Sequence, residues 1–213
     1  LTPEQAEYIG VTVSGAGRGF DVDNARIELD LTNAAVEAPR GFWTKRAGVA
    51  ASVRFRVARH GDGGLIFSEI DARGGGLTAQ GRVRLARDNR IAEVDMTRLA
   101  IEGRSDARVT AARAPDGGLD VNVRGALFDA APFMGQARAP AAAAPASART
   151  PSIQPPLRAS VIVDRLKMRG GATLSNARVS MSLARGALLT LSVEGQSPGG
   201  HPFSLALGPR PAD

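Results

Sequence analysis

The side chains that could perform acid–base or metal chemistry are few in this sequence and far apart. Its two histidines, His60 and His201, each stand beside glycine or proline in stretches typical of turns. Metal sites need histidine and carboxylate ligands at short, regular spacings, and no such cluster occurs in the sequence. We therefore predict no metal site, and no motif indicates a cofactor.

Nucleophilic catalysis has no support in the sequence either. The chain contains no cysteine, so thiol catalysis, Cys–zinc sites and disulfides are excluded. Its serines lack a G-x-S-x-G elbow, and no two carboxylates are spaced as an acid–base pair. The glycines of GAGRGF at 15–20 lack the G-x-G-x-x-G spacing and no helix pattern follows them, so we interpret them as a turn. We expect that the protein is not an enzyme.

The positive charge raises the question of nucleic-acid binding. The chain has 27 Lys and Arg against 21 Asp and Glu, a net charge of +6. The arginines are interspersed with acids, as in Arg26-Ile-Glu28 and Asp71-Ala-Arg73. Aromatic residues make up 4% of the chain and do not punctuate a basic sheet, as base stacking would require. We predict a solvated surface of mixed charge and no nucleic-acid partner.

Apolar residues alternate with polar ones along most of the chain. A period of two is typical of β-strands with one apolar face and one solvated face. Turn signals such as HGDGG at 60–64, APDGG at 114–118 and SPGG at 197–200 separate about ten or eleven such stretches. The predicted fold class is all-β, an elongated, twisted antiparallel meander.

One hexapeptide recurs in this pattern. SNARVS at 175–180 repeats SDARVT at 105–110, and DNARIE at 23–28 is a looser copy. Gly125 and Gly195 share the 70-residue offset of the first two copies, which indicates a repeating unit of about 40 residues. We interpret the hexapeptide as a strand-entry signal. Its Ser and Asn close a turn, its Ala and Val face the apolar side, and its Arg and final Ser face water.

The chain divides by composition into three segments. Residues 136–156 hold five prolines among alanines and no acidic residue, which favours an extended linker or surface loop. We predict β-repeats over 1–135, the linker over 136–156 and a further repeat over 157–213. No run of about 18 apolar residues occurs, and the chain begins with Leu1. We expect a piece of a longer protein whose anchor lies outside it.

Four stretches, in their order along the chain, carry a family resemblance. They are GFWTKRAGVAASVRFRV (41–57), IDARGGGLTAQGRVRL (70–85), DVNVRGALFDAAPFM (120–134) and VIVDRLKMRGGATLSNARVSMSL (161–183). Together they resemble the AsmA-like superfamily of bacterial envelope proteins, of the YhdP and TamB type. The resemblance implies a sheet curved into a taco-like groove with an apolar interior. It also implies a periplasmic body anchored in the inner membrane, a role in moving phospholipid to the outer membrane and in maintaining that membrane, and a partner at the outer membrane or in the periplasm.

Slender aliphatic side chains would suit the lining of such a groove, because they are apolar and offer no specific hydrogen bond. The same residues could instead form the dry core of a closed sandwich or solenoid with a structural or adhesive role. The alternation alone favours the closed core, whereas the resemblance favours the open groove. The candidate lining residues are Ile27, Leu29, Val109, Leu119, Val121, Val123, Val179, Met181, Leu183, Leu189, Leu191 and Val193.

Overall fold

The computed structural model describes residues 10–18, 21–38, 41–134, 155–184 and 187–208. The chain divides into two compact units, Leu1–Ala112 (unit 1) and Arg113–Asp213 (unit 2). Strands joined by short turns dominate both units, and the described residues contain no α-helix. The predicted all-β meander is confirmed. The grouping of repeats into 1–135 and 157–213 stays a prediction.

Unit 1 is an antiparallel sheet in the order β1-β2-β5-β6-β7-β8-β9, with β3 and β4 forming a separate two-stranded ribbon. Apart from that ribbon, neighbours in the sheet are neighbours in sequence. The strands are β1 (Gly10–Arg18), β2 (Asp21–Asp30), β3 (Val36–Glu37), β4 (Thr44–Lys45), β5 (Ala51–Arg59), β6 (Leu65–Gly74), β7 (Leu77–Leu85), β8 (Ile91–Ile101) and β9 (Ser105–Arg113).

Unit 2 has the order β10-β11-β12-β13-β14. Its strands are β10 (Leu119–Asp129), β11 (Leu157–Lys167), β12 (Thr173–Ala184), β13 (Ala187–Gln196) and β14 (Pro202–Leu207). Strands β10 and β11 pair in parallel, which departs from a pure antiparallel meander. Parallel neighbours need a crossover of a dozen or more residues, and the connection between Asp129 and Leu157 provides it. That connection contains the predicted linker, of which all but Pro155 and Pro156 lies outside the described residues.

Four hairpin turns share one hydrogen-bond pattern. In each, the first residue donates its N–H to the carbonyl of the fifth and accepts from the N–H of the fourth. The fourth residue has a positive φ, as a three-residue hairpin loop with a bulge requires: Gly63 (82°), Asn89 (59°), Gly117 (76°) and Gly200 (78°). In three turns an aspartate side chain accepts the N–H of the fifth residue. The predicted turns at 60–64, 114–118 and 197–200 are confirmed.

The three hexapeptide copies bury the same residue. Ala25, Ala107 and Ala177 are 6%, 5% and 0% exposed, and the arginine after each is exposed. The predicted facing of Ala and Arg is therefore confirmed. The turn interpretation is wrong, because Ser175 and Asn176 lie inside β12. Asn176 has a φ of 49° at a β-bulge against β13, where an extra residue is accommodated without ending the strand.

The glycine-rich stretch at 15–20 is not a turn over its described part. Residues 15–18 belong to β1, which continues to Arg18 with a register shift between Ala16 and Gly17. Gly19 and Phe20 lie outside the described residues. The glycines thus lie in a strand that contains a bulge. Nothing in the sequence indicated this bulge.

Candidate functional site

The register of unit 2 places aliphatic side chains in rows across all five strands. Residues directly opposite each other in a sheet share a face. One row joins Val121, Ala159, Met181, Leu191 and Leu207, and the next joins Val123, Val161, Val179, Val193 and Leu205. With Leu119, Leu157 and Leu183 at one end and Val163 and Phe203 toward the other, these residues form the apolar face of unit 2.

Exposure on this face increases from the middle of the sheet to its last strand. Val123, Val161 and Val193 are buried, whereas Leu205 and Leu207 on β14 are 39% and 50% exposed. The strands of unit 2 contact mainly their neighbours in the sheet, and no second strand layer packs over the face within 113–134, 155–184 and 187–208. Its residues are therefore shielded chiefly by one another.

Eight of the nine candidate residues in unit 2 lie on the apolar face. The exception is Leu189, the extra residue of a β-bulge between β12 and β13, which is half exposed. The candidate set omitted Ala159 and the larger members of the face, namely Leu157, Val161, Val163, Phe203, Leu205 and Leu207. Alternation in FSLAL (203–207) could have identified three of them. Val161 and Val163 were hidden because Ile162 between them is also apolar.

Unit 1 has an apolar face of the same kind. Leu29 lies in a row with Val53, Ala72, Ala79, Leu99 and Ala107. Ile27 is opposite Phe55 on β5 and Val109 is opposite Met96 on β8, so the three candidates in this unit share one face but lie near opposite sides of its sheet. Three of the six residues in the Leu29 row are alanines, so the apolar layer there is thin. No large side chain in the described residues of either unit is less than 2% exposed.

The other face of unit 1 is a ladder of ion pairs. Arg56 Nε lies 3.0 Å from Glu69 Oε2, Arg73 Nε 2.9 Å from Asp71 Oδ1, and Arg108 Nη2 2.8 Å from Asp95 Oδ1. These arginines are more than half exposed, so each pair contributes little to stability. Among the residues that line a shallow depression on this face are Arg26, Glu28, Arg54, Glu69 and Asp71. Its charges are largely neutralised by one another, which is typical of a solvated surface.

A tryptophan ties the 31–50 loop to one end of the unit 1 sheet, and a lysine joins the two ends of that loop to each other. Trp43 Nε1 donates to the carbonyl of Gly75, in the β6–β7 turn, at 2.9 Å. The buried Lys45 Nζ donates to three carbonyls, at 2.8 Å to Ala34, 2.9 Å to Arg46 and 3.2 Å to Thr32. Three donors thus meet three acceptors, so this ammonium is a structural tie. The Trp-x-Lys step of the family resemblance is the core of this contact.

The histidines lie where the sequence predicted, in or beside turns. His60 Nδ1 is 3.1 Å from Asp62 Oδ1, and His201 is exposed at the start of β14. In the described part of the chain no three His, Cys, Asp or Glu residues are grouped as metal ligands. No helix there has the length and apolar character to cross a membrane.

Several carboxyls in turns and strands have lowered pKa values, which predicts how stability depends on pH. Arg158 donates to Asp116 and, at 3.0 Å, to Asp120, and its hydrogen bond holds the pKa of Asp116 below the ordinary value. The Gly64 N–H does the same for Asp62, and Arg73 for Asp71. A carboxyl with a lowered folded pKa stabilises the fold above its unfolded pKa of about 3.9, and this stabilisation is lost as the pH falls through the folded pKa.

We therefore expect the melting temperature to change little between pH 7 and about pH 5 and to fall below about pH 4. Thermal unfolding followed by circular dichroism across this range would measure it. Asp116→Asn should lower the melting temperature at pH 7 and reduce the loss on acidification. A fall centred near pH 6 would instead assign the dependence to a histidine.

No protein-family model matches this chain, and no curated protein or solved structure matches it. The resemblance to the AsmA-like superfamily accordingly rests on the four sequence stretches.

Proposed function

We propose that this chain is a non-enzymatic β-sheet segment of an AsmA-like envelope protein, which shelters phospholipid acyl chains during transport between the inner and outer membranes. The observation that carries the proposal is the apolar face of unit 2, whose rows cross five strands with no second strand layer over them within the described residues of that unit. The periplasmic location and the anchor in the inner membrane belong to the proposal through the family resemblance.

The dimensions of the face suit an acyl chain. Neighbouring strands lie about 4.8 Å apart, so a row across five strands is about 19 Å wide. Half of the ~30 Å hydrocarbon core, the depth of one leaflet, is about 15 Å. An acyl chain laid along a row would therefore contact apolar side chains over its whole length.

The free energy of exposing an acyl chain to water requires an apolar surface without specific hydrogen-bonding groups. Exposing an acyl chain to water costs about 0.8 kcal/mol per CH₂, or roughly 11 kcal/mol for fourteen of them. A conduit must offset most of this cost without holding the lipid at one position. Valine, leucine and alanine side chains meet both demands, because they remove apolar area from water but provide no hydrogen bond that would fix a register.

The test is to purify the chain, extract it with organic solvent and identify lipids by mass spectrometry. We expect phospholipid to co-purify, and a delipidated sample to take up fluorescent phospholipid from vesicles. Repeated absence of lipid, together with an experimental structure in which protein covers the apolar face, would overturn the proposal. That result would favour the closed-core structural or adhesive segment.

A further inference from the structure

Strand β14 forms one edge of the sheet in the described residues of unit 2. It is the last strand in the order of unit 2 and pairs with β13 along one side, and no described strand pairs with its other side. All six of its residues are exposed, including Phe203 (37%), Leu205 (39%) and Leu207 (50%) on the apolar face. An unpaired edge presents a row of backbone donors and acceptors to which another strand can add.

The features that normally protect a sheet edge are largely missing from β14. Soluble proteins place charges, prolines or bulges on such strands. No Lys, Arg, Asp or Glu occurs from 195 to 209, and the β13–β14 register continues without a shift from Pro202 to Leu207. Pro202, at the start of the strand, is the only residue of β14 without a backbone N–H group to donate. By contrast, β1 at the edge of unit 1 has a register shift and ends in Arg18.

We propose that β14 pairs antiparallel with β14 of a second copy of this chain, about a two-fold axis at Leu205. This register places Leu205 opposite Leu205, Phe203 opposite Leu207, and Ser204 opposite Ala206. Apolar residues meet apolar residues on one face, small residues meet on the other, and no charge meets a like charge. The strand is thus complementary to itself, which identifies the partner as a second copy.

This inference goes beyond the proposed function and does not depend on it. The row that ends in Leu205 would continue into the second copy, so two apolar faces would join across the pair. One six-residue edge buries little area compared with a standard interface, so we expect a weak dimer that forms at tens of micromolar protein. Failure to dimerise would leave phospholipid uptake by the single chain unchanged, which separates the two proposals experimentally.

Single cysteines test the register directly, because the chain has none of its own. Opposite residues of an antiparallel pair have Cα atoms about 4.5–5.5 Å apart, within the range of a disulfide. We expect Leu205→Cys to form a disulfide dimer under mild oxidation. Phe203→Cys and Leu207→Cys should each remain monomeric alone but crosslink when mixed. The control is Ile162→Cys, 42% exposed on the internal strand β11, which should not crosslink.

Sedimentation of charged variants gives an independent measurement. Leu205→Lys sets two ammonium groups opposite each other and should weaken dimerisation at least tenfold, whereas Ile162→Lys should leave it unchanged. Circular dichroism should show that both lysine variants stay folded. If one of them unfolds, the cysteine crosslinking experiment still tests the register. A monomer at all concentrations, crosslinking of Ile162→Cys equal to that of Leu205→Cys, or a dimer insensitive to Leu205→Lys would overturn the inference.

Discussion

Val121→Glu and Leu191→Glu are expected to lose bound phospholipid while the protein stays folded. Both residues are half-buried in one row of the unit 2 apolar face, where the described residues of unit 2 provide no second strand layer. A carboxylate there can remain hydrated when the face is empty, but an acyl chain laid over it would remove that water. A charge in a hydrocarbon environment costs about 3 kcal/mol, which corresponds to roughly a hundredfold loss of affinity. Phospholipid uptake from vesicles, measured beside the melting temperature, checks this result.

Two control variants make the outcome specific to the face. Asn122→Glu adds the same charge one residue along β10, on the opposite, exposed face, and should retain lipid and stability. Val163→Glu adds it at a residue only 3% exposed and should unfold unit 2, because a buried unpaired carboxylate is strongly destabilising. If Val121→Glu and Leu191→Glu unfold the protein as Val163→Glu does, these residues form a closed core and the conduit interpretation fails.

Lys45→Met is expected to destabilise unit 1 by about 3 kcal/mol. The substitution keeps most of the side-chain volume but removes the ammonium that satisfies the carbonyls of Thr32, Ala34 and Arg46. Each buried acceptor left without a donor costs about 1–3 kcal/mol, although relaxation of the loop recovers part of this. Chemical denaturation monitored by Trp43 fluorescence would measure the change, since Trp43 packs in the same contact.

The matched control is Arg46→Met, which makes the same class of change on an exposed neighbour. Its backbone carbonyl still accepts from Lys45, so the expected change is within about 0.5 kcal/mol. Equal destabilisation by the two variants would show that the Lys45 hydrogen bonds do not stabilise the 31–50 loop.

Local patterns predicted most of the strands and their faces. At 25–29, 53–57, 119–123 and 177–183, within β2, β5, β10 and β12, apolar and polar residues alternate. Since side chains of a strand alternate between faces, the pattern alone assigns each of these residues to a side. The hairpin loops were predictable for a similar reason. Glycine and asparagine tolerate the positive φ that these loops require, and aspartate caps them locally. The burial of the three hexapeptide alanines was also predictable, since it follows from the alternation of side chains along a strand.

Other features depend on contacts between distant residues. The parallel pairing of β10 with β11 and the bulge at Asn176 arise from register between strands, which no single stretch encodes. Lys45 would be assigned to the surface by its charge, and only the three carbonyls gathered by the 31–50 loop make its burial favourable. In VIV (161–163) all three residues are apolar, so only the pairing with neighbouring strands shows that Val161 and Val163 lie on the apolar face.

The amino-acid sequence by itself determined that this protein is a β-meander whose strands have one apolar and one solvated face, because strand periodicity and turn chemistry are local. Only the tertiary structure decided which residues of the apolar face are shielded and which, at β14, are left at an exposed edge. Burial depends on the strands that lie alongside, and strand pairing within each unit decides which strands those are.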